Sequence, residues 1–272
     1  MHRVSNIVIL TGAGISVESG LPAFRTVKGQ TCWDTGASVH PLEDVATPEA
    51  FARDPVLVHQ FYDARRARLA EVEPNAAHLA LARLDSEWPG ELLIVTQNVD
   101  DLHERAGAKR LLHMHGELMR GWCLGCSERF EWEGPMNPNT GRPERSRETL
   151  AEGVSTTLDT NGINICPACE TPGHVRPDIV WFGEMPYEME RIEAALMGCD
   201  LFVSIGTSGA VYPAAGFVQT AKYRGARTLE INLEPSQSSI FFDERRLGLA
   251  SEEVPTWVEG LLQSAQSSPM SS

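Results

Sequence analysis

Apolar residues along this chain form two patterns, short continuous runs and longer stretches with helical spacing. The runs have the length of buried strands and lie at residues 6–10, 92–95, 201–205 and 228–233. The longer stretches predict helices at residues 48–52, 55–69, 75–86 and 189–197. Strands and helices therefore alternate over residues 1–115 and again over 175–262, which favours an α/β fold with a parallel sheet.

Between these two parts lies a polar stretch that is flanked by cysteines. Residues 131–159 are rich in Glu, Pro, Asn, Gly and Arg and have little periodic apolar content. Two Cys-x-x-Cys pairs, Cys123 with Cys126 and Cys166 with Cys169, stand on either side of it. Four thiolates are ligands of tetrahedral structural zinc, and the paired spacing favours that site over four free thiols. The sequence therefore predicts one structural Zn²⁺ ion that keeps this stretch folded.

These patterns predict an organisation in three parts. Residues 1–115 and 175–262 form one discontinuous domain, and residues 116–174 form an inserted zinc-binding module. Residues 263–272 are rich in serine and are predicted to be a disordered tail.

Composition narrows the classes of partner and location. The 272 residues are 42% apolar, enough for a full core, and the formal net charge is −14. Such an acidic protein has no electrostatic attraction for nucleic acid or an anionic membrane, and it attracts basic partners such as lysine-bearing proteins. No apolar run approaches the roughly 20 residues that span a bilayer, and the run at 7–10 is too short for a signal peptide. We therefore expect a cytoplasmic protein. We also expect the protein to be a monomer.

The first apolar run leads into a glycine turn, Gly12-Ala13-Gly14. Such turns bind phosphates in α/β sheets, because free backbone N–H groups at a helix start favour negative charge. The common dinucleotide pattern has a third glycine where this chain has Val17, so a turn that only needs tight packing is the alternative. A small-residue turn at 206–209 and Asn232 after another strand favour a nucleotide site, because several strand ends can converge on one crevice.

A second polar motif follows the run at 92–95. It contains Gln97, Asn98 and Asp100, and His113 and His115 come a little later. An amide, a carboxylate and two imidazoles at the end of a neighbouring strand indicate acid–base chemistry beside the nucleotide. Imidazole suits this because its unperturbed pKa, about 6.5, is close to neutral pH. Residues two apart on an extended segment share a face, so spacing alone does not choose between the two histidines.

At this point the motifs resemble those of a known family. The matching strings cover residues from about 7 to 262 and are GAGIS with ESGLPAFR, TQNVDDLH, HMHGEL, the two cysteine pairs, VRPDIVWFGEMP, GTSGAVYPAAGF and INLEPSQ. They resemble the sirtuins, the NAD-dependent protein lysine deacylases, and most closely the bacterial CobB-type enzymes of the desuccinylase-like class III. The segment 26–35 departs from the family, because it lacks the aspartate or glycine-rich run that relatives often have there.

The resemblance implies a Rossmann-like domain that carries a small zinc module, with NAD and the peptide entering the cleft between them. It also implies the residues that bind NAD, which are Gly12, Ala13, Gly14, Ile15, Phe24, Arg25, Gln97, Asn98, Asp100, Gly206, Thr207, Ser208, Asn232, Leu233, Glu234 and Ala250. In that pattern Asp100 and Ile15 hold the carboxamide of nicotinamide. For Asp100 the alternative is a charge at a helix N-terminus.

The family's His-Gly pair implies that His115 is the catalytic base. The resemblance implies Asn98 as the second catalytic residue. In the family, the acyl oxygen of the modified lysine attacks the ribose carbon as nicotinamide leaves. The histidine draws a proton through the ribose hydroxyls, so that one of them attacks the acyl carbon. The implied products are free lysine, nicotinamide and 2′-O-acyl-ADP-ribose, and the implied partners are acyl-lysine proteins or peptides.

The resemblance also implies an acyl pocket. Tyr62 and Arg65 are three apart on a predicted helix, and the class that removes succinyl and malonyl groups has this pair, with a small residue such as Ala46 nearby. An arginine fork and a phenol bind a carboxylate with charge-assisted hydrogen bonds. The alternative is a solvated basic face, because Arg66 and Arg68 follow closely.

The substrate peptide is expected to add as a strand. The residues implied on one side are Val180, Trp181, Phe182 and Gly183, and residues 209–212 lie on the other. Trp181 and Phe182 would line the tunnel around the lysine stem, and ordinary core packing is the alternative for both. Two rival functions remain, an NAD-dependent protein ADP-ribosyltransferase on the same scaffold and a catalytically idle NAD-sensing module.

Overall fold

A computed structural model describes residues 4–22, 25–27, 30–34, 39–41, 45–132, 134, 136 and 164–267. The chain packs into two compact units. The first unit comprises Met1–Phe24, Val72–Gly116 and Met185–Ser272. The second unit comprises Arg25–Glu71 and Glu117–Glu184.

The elements alternate along most of the chain. The strands are β1 (Ile7–Thr11), β2 (Arg25–Val27), β3 (Gln30–Asp34), β4 (Val39–Pro41), β5 (Leu92–Thr96), β6 (Leu111–His113), β7 (Gly116–Cys123), β8 (Arg129–Glu131), β9 (Val175–Ile179), β10 (Leu201–Ile205), β11 (Arg227–Asn232) and β12 (Glu244–Leu247). The helices are α1 (Pro48–Arg53), α2 (Pro55–Leu69), α3 (Ala76–Glu87), α4 (Leu102–Ala106), α5 (Met189–Gly198), α6 (Phe217–Tyr223) and α7 (Ala250–Ser267). Every strand and helix that the apolar pattern predicts is present, with bounds shifted by at most one residue.

The first unit is built on a six-stranded sheet in the order β12-β11-β10-β1-β5-β6, and its strands pair in parallel. The three central strands β1, β5 and β10 are buried along their whole length. Helices α3 and α7 cover one face through Leu81 and Val258, and α5 and α6 cover the other through Ile192 and Val218. This is a doubly wound, Rossmann-like α/β fold, and the predicted fold class is confirmed.

The sheet has a topological switch point at β1. The chain continues from β1 to β5 on one side, and it returns as β10 on the other side of β1. In open α/β sheets, ligands bind outside the carboxyl ends of the strands at such a point. The turns that begin at Gly12 and Gly206 follow β1 and β10 directly, so both lie at this place in the sheet.

The described residues of the second unit form two small sheets and two helices. One sheet is antiparallel, in the order β2-β3-β4, and the other has the order β8-β7-β9. Helices α1 and α2 each begin with proline, and the side chains of Thr47 and Asp54 cap them by accepting hydrogen bonds from Ala50 N and Leu57 N. Residues 25–71 thus pack with the cysteine-bearing segment in one unit, and the division into functional domains stays a prediction.

Helix α7 is longer than the sequence analysis expects. It continues to Ser267, so residues 263–267 are helical and were wrongly assigned to a disordered tail. The reason is that Leu262 is buried in the core of the first unit, and Leu261 and Ala265 pack against the same core. Burial of this stripe stabilises the helix beyond the serine-rich composition. Residues 268–272 lie outside the described part.

Across the ranges that the structure describes, no helix combines the length and the apolar content that crossing a membrane requires.

Candidate active site

The glycine turns after β1 and β10 touch through their backbones. Gly14 N donates a hydrogen bond to Gly206 O at 2.8 Å, and Gly12 N donates to Ile205 O at 3.0 Å. A Cβ on Gly14 would lie 2.7 Å from Gly206 Cα, and a Cβ on Gly206, which has a φ of +62°, would lie 2.5 Å from Ile15 N. Only glycine fits at these two positions. Tight packing, the alternative interpretation of this turn, therefore accounts for the glycines without a ligand.

The turn after β1 is joined to the polar motif after β5 by a buried hydrogen-bond network. Asn98 Nδ2 donates to Gly12 O at 3.2 Å and to Ser16 Oγ at 3.1 Å. Ser16 Oγ in turn donates to Asp100 Oδ2 at 3.1 Å. Asp100 Oδ1 also accepts from Leu102 N at the start of α4, so this carboxylate serves as a helix N-terminal charge as well. The structure thus brings together the two motifs that are far apart in sequence.

Ser16 is a residue of this network that the sequence analysis did not identify, and His78 behind it is another. Asn75 N donates to His78 Nδ1 at 3.3 Å, which leaves His78 Nε2 to donate towards Ser16 Oγ at 3.5 Å. Burial lowers the pKa of His78 to about 4, so its imidazole is neutral. Ser16 Oγ therefore accepts from two donors and donates to Asp100, which fixes the direction of every hydrogen bond in the network. No local sequence signal links residue 78 to residue 16.

The two histidines after β6 differ in what their ring nitrogens contact. His113 Nδ1 lies 2.9 Å from Asn98 O, and His113 Nε2 lies 2.6 Å from Glu104 Oε1. Both ring nitrogens face oxygen acceptors, so the ring is held in place from two sides. His115 Nδ1 lies 3.1 Å from Gln97 O, so this nitrogen is the donor.

His115 is left with a second nitrogen that can accept a proton. Burial is the main influence on its pKa and lowers it below the usual value of 6.5. The ring is therefore neutral at pH 7 and carries its proton on Nδ1. Nε2 has a lone pair and no hydrogen-bond partner among the described residues, and the side chain is only partly buried. Geometry therefore separates the two histidines where spacing did not.

Some of the residues expected near the adenosine half also converge. Asn232 Nδ2, at the end of β11, donates to Thr207 O at 2.7 Å, and Thr207 Oγ1 lies 2.9 Å from Ser204 Oγ. Leu233 and Glu234 are exposed just beyond β11, and Ala250 begins α7. Phe24 lies outside the described residues, and Arg25 is described only as part of the backbone of β2.

The four predicted zinc ligands lie together in the second unit. The sulfur atoms of Cys123, Cys126, Cys166 and Cys169 are all within 4.8 Å of one another. Cys123 Sγ is 3.8 Å from Cys169 Sγ, and Cys126 Sγ is 3.6 Å from Cys166 Sγ. A tetrahedral zinc ion with Zn–S bonds of about 2.3 Å requires sulfur atoms about 3.8 Å apart. All four cysteines have free thiols rather than disulfides, so the donor set fits zinc.

The residues expected to bind the acyl-lysine also meet in the second unit. Trp181 Nε1 donates to Tyr62 Oη at 2.9 Å, and Phe182 N donates to Ala46 O at 3.0 Å. Tyr62, Ala46 and Trp181 are buried, whereas Phe182 is 50% exposed. Arg65 is partly buried, and its guanidinium lies 5.7 Å from the centre of the Phe61 ring.

The alternative of a solvated basic face on α2 does not hold for all of its arginines. Arg66 is buried, pairs with Asp63 at 2.7 Å and donates from Nε to Leu118 O. Arg68 is exposed and pairs with Glu71. The three arginines therefore have three different environments, and Arg65 shares its side of the helix with Tyr62.

The first unit is a doubly wound sheet with a polar network at its switch point, and the second unit has a four-thiolate site. These features define the class of the protein, a nucleotide-binding α/β protein with a zinc site. The chain belongs to the Sir2 family, whose model matches residues 12–213. The predicted family is therefore confirmed.

Relatives and solved structures match nearly the whole chain. NAD-dependent protein deacylases of Vibrio vulnificus (strain YJ016) and Bdellovibrio bacteriovorus are 50% and 51% identical over 264 and 265 residues, which is 96% and 97% of this chain and 96% and 99% of theirs. The crystal structure of a Sir2 homologue in complex with NAD has a TM-score of 0.79 and 32% identity, and covers 96% of this chain and 91% of its own. A variant Sir2 homologue in complex with ADP-ribose has a TM-score of 0.78, also at 32% identity, and covers 98% and 95%.

Proposed function

We propose that this chain is an NAD-dependent protein-lysine deacylase that removes acetyl groups and also succinyl and malonyl groups. Relatives that are about half identical over nearly the whole chain carry the name of this activity. The single observation that carries the proposal is the neutral imidazole of His115, which has its proton on Nδ1 and its Nε2 lone pair available.

NAD fits the first unit by the chemistry of the residues at the switch point. The glycine turns after β1 and β10 end adjacent strands at the switch point, which is where α/β sheets bind a pyrophosphate close to the main chain. Asn98 and Asp100 are buried polar groups whose orientation the Ser16 network fixes, which suits recognition of a carboxamide and a ribose. The residues that would bind the adenosine half are those at 206–208, 232–234 and 250.

His115 is the general base in this proposal, and Asn98 holds the ribose end of the substrate. NAD as co-substrate would supply the ribose that receives the acyl group and would release nicotinamide as the acyl oxygen bonds to the ribose carbon. Nε2 of His115 accepts the proton of a ribose hydroxyl, so that the hydroxyl oxygen can bond to the acyl carbon, and that proton can return to the lysine nitrogen as the C–N bond breaks and the free amine leaves. Water then adds to the acyl carbon, which leaves the ester on one ribose oxygen and a hydroxyl on the other. The donor bond from Nδ1 to Gln97 O keeps the ring in the tautomer that this step needs.

Zinc has a structural role in this proposal. Cys123, Cys126, Cys166 and Cys169 would hold one ion, and four thiolates leave no open position for substrate. The ion would cross-link β7 to the segment that precedes β9.

The acyl pocket lies in the second unit at Tyr62, Arg65 and Ala46. Tyr62 and Arg65 offer a hydroxyl donor and a guanidinium fork from one side of α2, which is a suitable set for a terminal carboxylate. Ala46 leaves room for the longer acyl chain. The main-chain groups of residues 180–183 would pair with the peptide, and Phe182 is the exposed aromatic of this segment.

The same proposal gives the partners and location. The substrates are acyl-lysine proteins or peptides rather than nucleic acid or a membrane surface, because the net charge of −14 repels phosphate-rich partners. We expect a monomer in the cytoplasm, which light scattering and cell fractionation would check.

The test is incubation with NAD and paired acetyl- and succinyl-lysine peptides, followed by mass spectrometry of all products. We expect free lysine peptide, nicotinamide and acylated ADP-ribose in equal amounts with the native chain, and none above background with His115→Ala. An ADP-ribosyltransferase would yield ADP-ribosylated protein and no acylated ADP-ribose. An NAD-sensing module would bind NAD without consuming it. Either result would overturn the proposal.

A further inference from the structure

The hydroxyl of Tyr62 has one hydrogen-bond partner and one unused donor. Trp181 Nε1 lies 2.9 Å from Tyr62 Oη, and the two residues are 2% and 4% exposed. An indole N–H can only donate, so the phenol oxygen is the acceptor in this bond. The phenol hydrogen must therefore point away from Trp181, and among the described residues Tyr62 has no second partner to receive it.

The tyrosine cannot release this hydrogen as a proton near neutral pH. Burial is the main influence on its pKa and raises it to about 12, although the nearby charge of Arg65 opposes this. Tyr62 therefore keeps its hydroxyl hydrogen near neutral pH and can donate it from a buried position. A buried donor without an acceptor is unfavourable, and an anionic acceptor satisfies it best.

The indole of Trp181 is itself fixed from several sides. The guanidinium of Arg176 lies 3.3 Å from the centre of its ring, and the Phe51 ring is centred 5.4 Å away. Glu184 then binds both partners, because Oε1 accepts from Arg176 Nη1 at 2.5 Å and Oε2 accepts from Trp181 N at 2.8 Å. The indole N–H thus has a set direction, and so does the hydroxyl that accepts from it.

We propose that Trp181 is a positioning residue for acyl selectivity, which acts by directing the Tyr62 O–H towards the terminal carboxylate of a dicarboxylic acyl group. The inference rests on the proposed function. Trp181 thus acts through Tyr62 and does not itself contact the acyl group. Trp181 is almost completely buried, so Phe182 is the aromatic residue of this segment that is available to the lysine stem. An acetyl group ends in a methyl group, so it gains nothing from the aimed hydroxyl.

The test is Trp181→Phe, which removes the N–H and keeps an aromatic ring, assayed with succinyl- and acetyl-lysine peptides. We expect KM for the succinyl peptide to rise roughly five-fold because the hydroxyl is no longer pre-oriented. Any effect on peptide binding in general raises both KM values, so the measure is the ratio of the succinyl KM to the acetyl KM, which should rise roughly three-fold or more. Trp88→Phe is the matched control, since it removes a similar indole bond, to Ser5 O at 3.0 Å, in the first unit.

A double-mutant cycle with Tyr62→Phe separates this inference from the proposed function. If Trp181 acts through the hydroxyl, Trp181→Phe has no further effect on the succinyl-to-acetyl ratio once Tyr62 is phenylalanine. The inference would be overturned if Trp181→Phe lowered the succinyl-to-acetyl ratio equally with Tyr62 and with Phe at position 62. It would also be overturned if Trp181→Phe weakened both peptides equally. Neither result would contradict the proposed acyl pocket. If Tyr62→Phe leaves the ratio unchanged, the acyl pocket of the proposed function fails instead.

A second variant covers the case in which Trp181→Phe does not fold. Glu184→Gln keeps all the aromatic rings and loosens the support of Arg176 and of Trp181 N. We expect the same selective rise in KM for the succinyl peptide, smaller than in Trp181→Phe. A rise that is equal for both peptides would contradict the inference.

Discussion

His113 and His115 direct their Nδ1 atoms at the carbonyl oxygens of two consecutive residues, Asn98 and Gln97, at 2.9 and 3.1 Å. The two rings are therefore held in the same way through Nδ1. They differ at Nε2, which contacts Glu104 in His113 and has no hydrogen-bond partner among the described residues in His115. From this difference we expect the two histidines to have unequal roles.

Replacing the two histidines should have very different effects. His115→Asn removes the proposed general base, and we expect kcat to fall roughly 10²- to 10⁴-fold, as is typical for such a group. His113→Gln loses the contact with Glu104, and we expect a decrease of at most about ten-fold because its effect on Asn98 is indirect. Steady-state rates with an acetyl peptide measure both. If His113→Gln lowers the rate more than His115→Asn does, the assignment of the general base to His115 is wrong.

The acid limb of the pH–rate profile should lie below the ordinary range of histidine. Only neutral His115 can accept a proton, and burial lowers its pKa below 6.5. Activity is therefore retained as pH falls through 6.5 and is lost only at lower pH. The measurement is kcat/KM against pH, which reports groups of the free enzyme. A midpoint clearly above 6.5 would contradict this assignment.

Folding stability should decrease below about pH 6.5, partly through His78. Its pKa is about 4 in the folded chain and 6.5 when unfolded, so the unfolded state binds the proton more tightly in between. The contribution of His78 to the free energy of unfolding is fully present above pH 6.5. It decreases as pH falls towards 4, by up to about 1.4 kcal/mol per pH unit. Urea unfolding at pH 7.5 and 5.0 measures the difference. The difference should be smaller in His78→Gln, and an unchanged difference would remove His78 from the explanation.

Arg65 should matter for dicarboxylic acyl groups and not for acetyl. With Arg65→Met we expect kcat/KM for the succinyl peptide to fall roughly ten-fold or more, since a charge-assisted bond is lost. Activity on the acetyl peptide should be retained. Arg68→Met is the matched control, because Arg68 is on the same helix and is exposed in a pair with Glu71. Equal losses on both peptides would remove the pocket assignment.

The purified chain should contain one zinc ion, bound by the four cysteines. Cys123→Ser removes one ligand, and we expect loss of the metal and a decrease in Tm of roughly 10 °C or more. Cys199→Ser is the control, since Cys199 is a buried thiol in the first unit that donates to Leu196 O. Elemental analysis and thermal melts measure both variants. A Cys123→Ser chain that keeps its zinc would refute the ligand set.

The sequence predicted the elements of the first unit well, because strands such as β5 and β10 are continuous apolar runs that are buried on both faces of a parallel sheet. It did not predict β12, whose residues Glu244–Leu247 are mostly polar and form an edge strand. It also ended α7 too early. There, the packing of Leu262 against the core outweighs the local composition.

In the candidate site, the motifs pointed to Asn98, Asp100 and the cysteines, because those residue types have narrow chemical uses. The roles of Ser16 and His78 come from tertiary contact between distant segments, so no periodicity or spacing reveals them. The choice between His113 and His115 likewise depends on Glu104, which lies in α4. Contacts between residues that are far apart in the sequence cannot be predicted from one sequence alone.

The four thiolates also determine how much the sequence between them can vary. Cys126 Sγ and Cys166 Sγ lie 3.6 Å apart, although 39 residues lie between them in the sequence. The entropy cost of joining two positions grows only with the logarithm of the number of residues between them, so doubling that number costs about 0.6 kcal/mol. We therefore expect natural insertions or an engineered reporter between the two cysteine pairs to leave the four-cysteine site assembled.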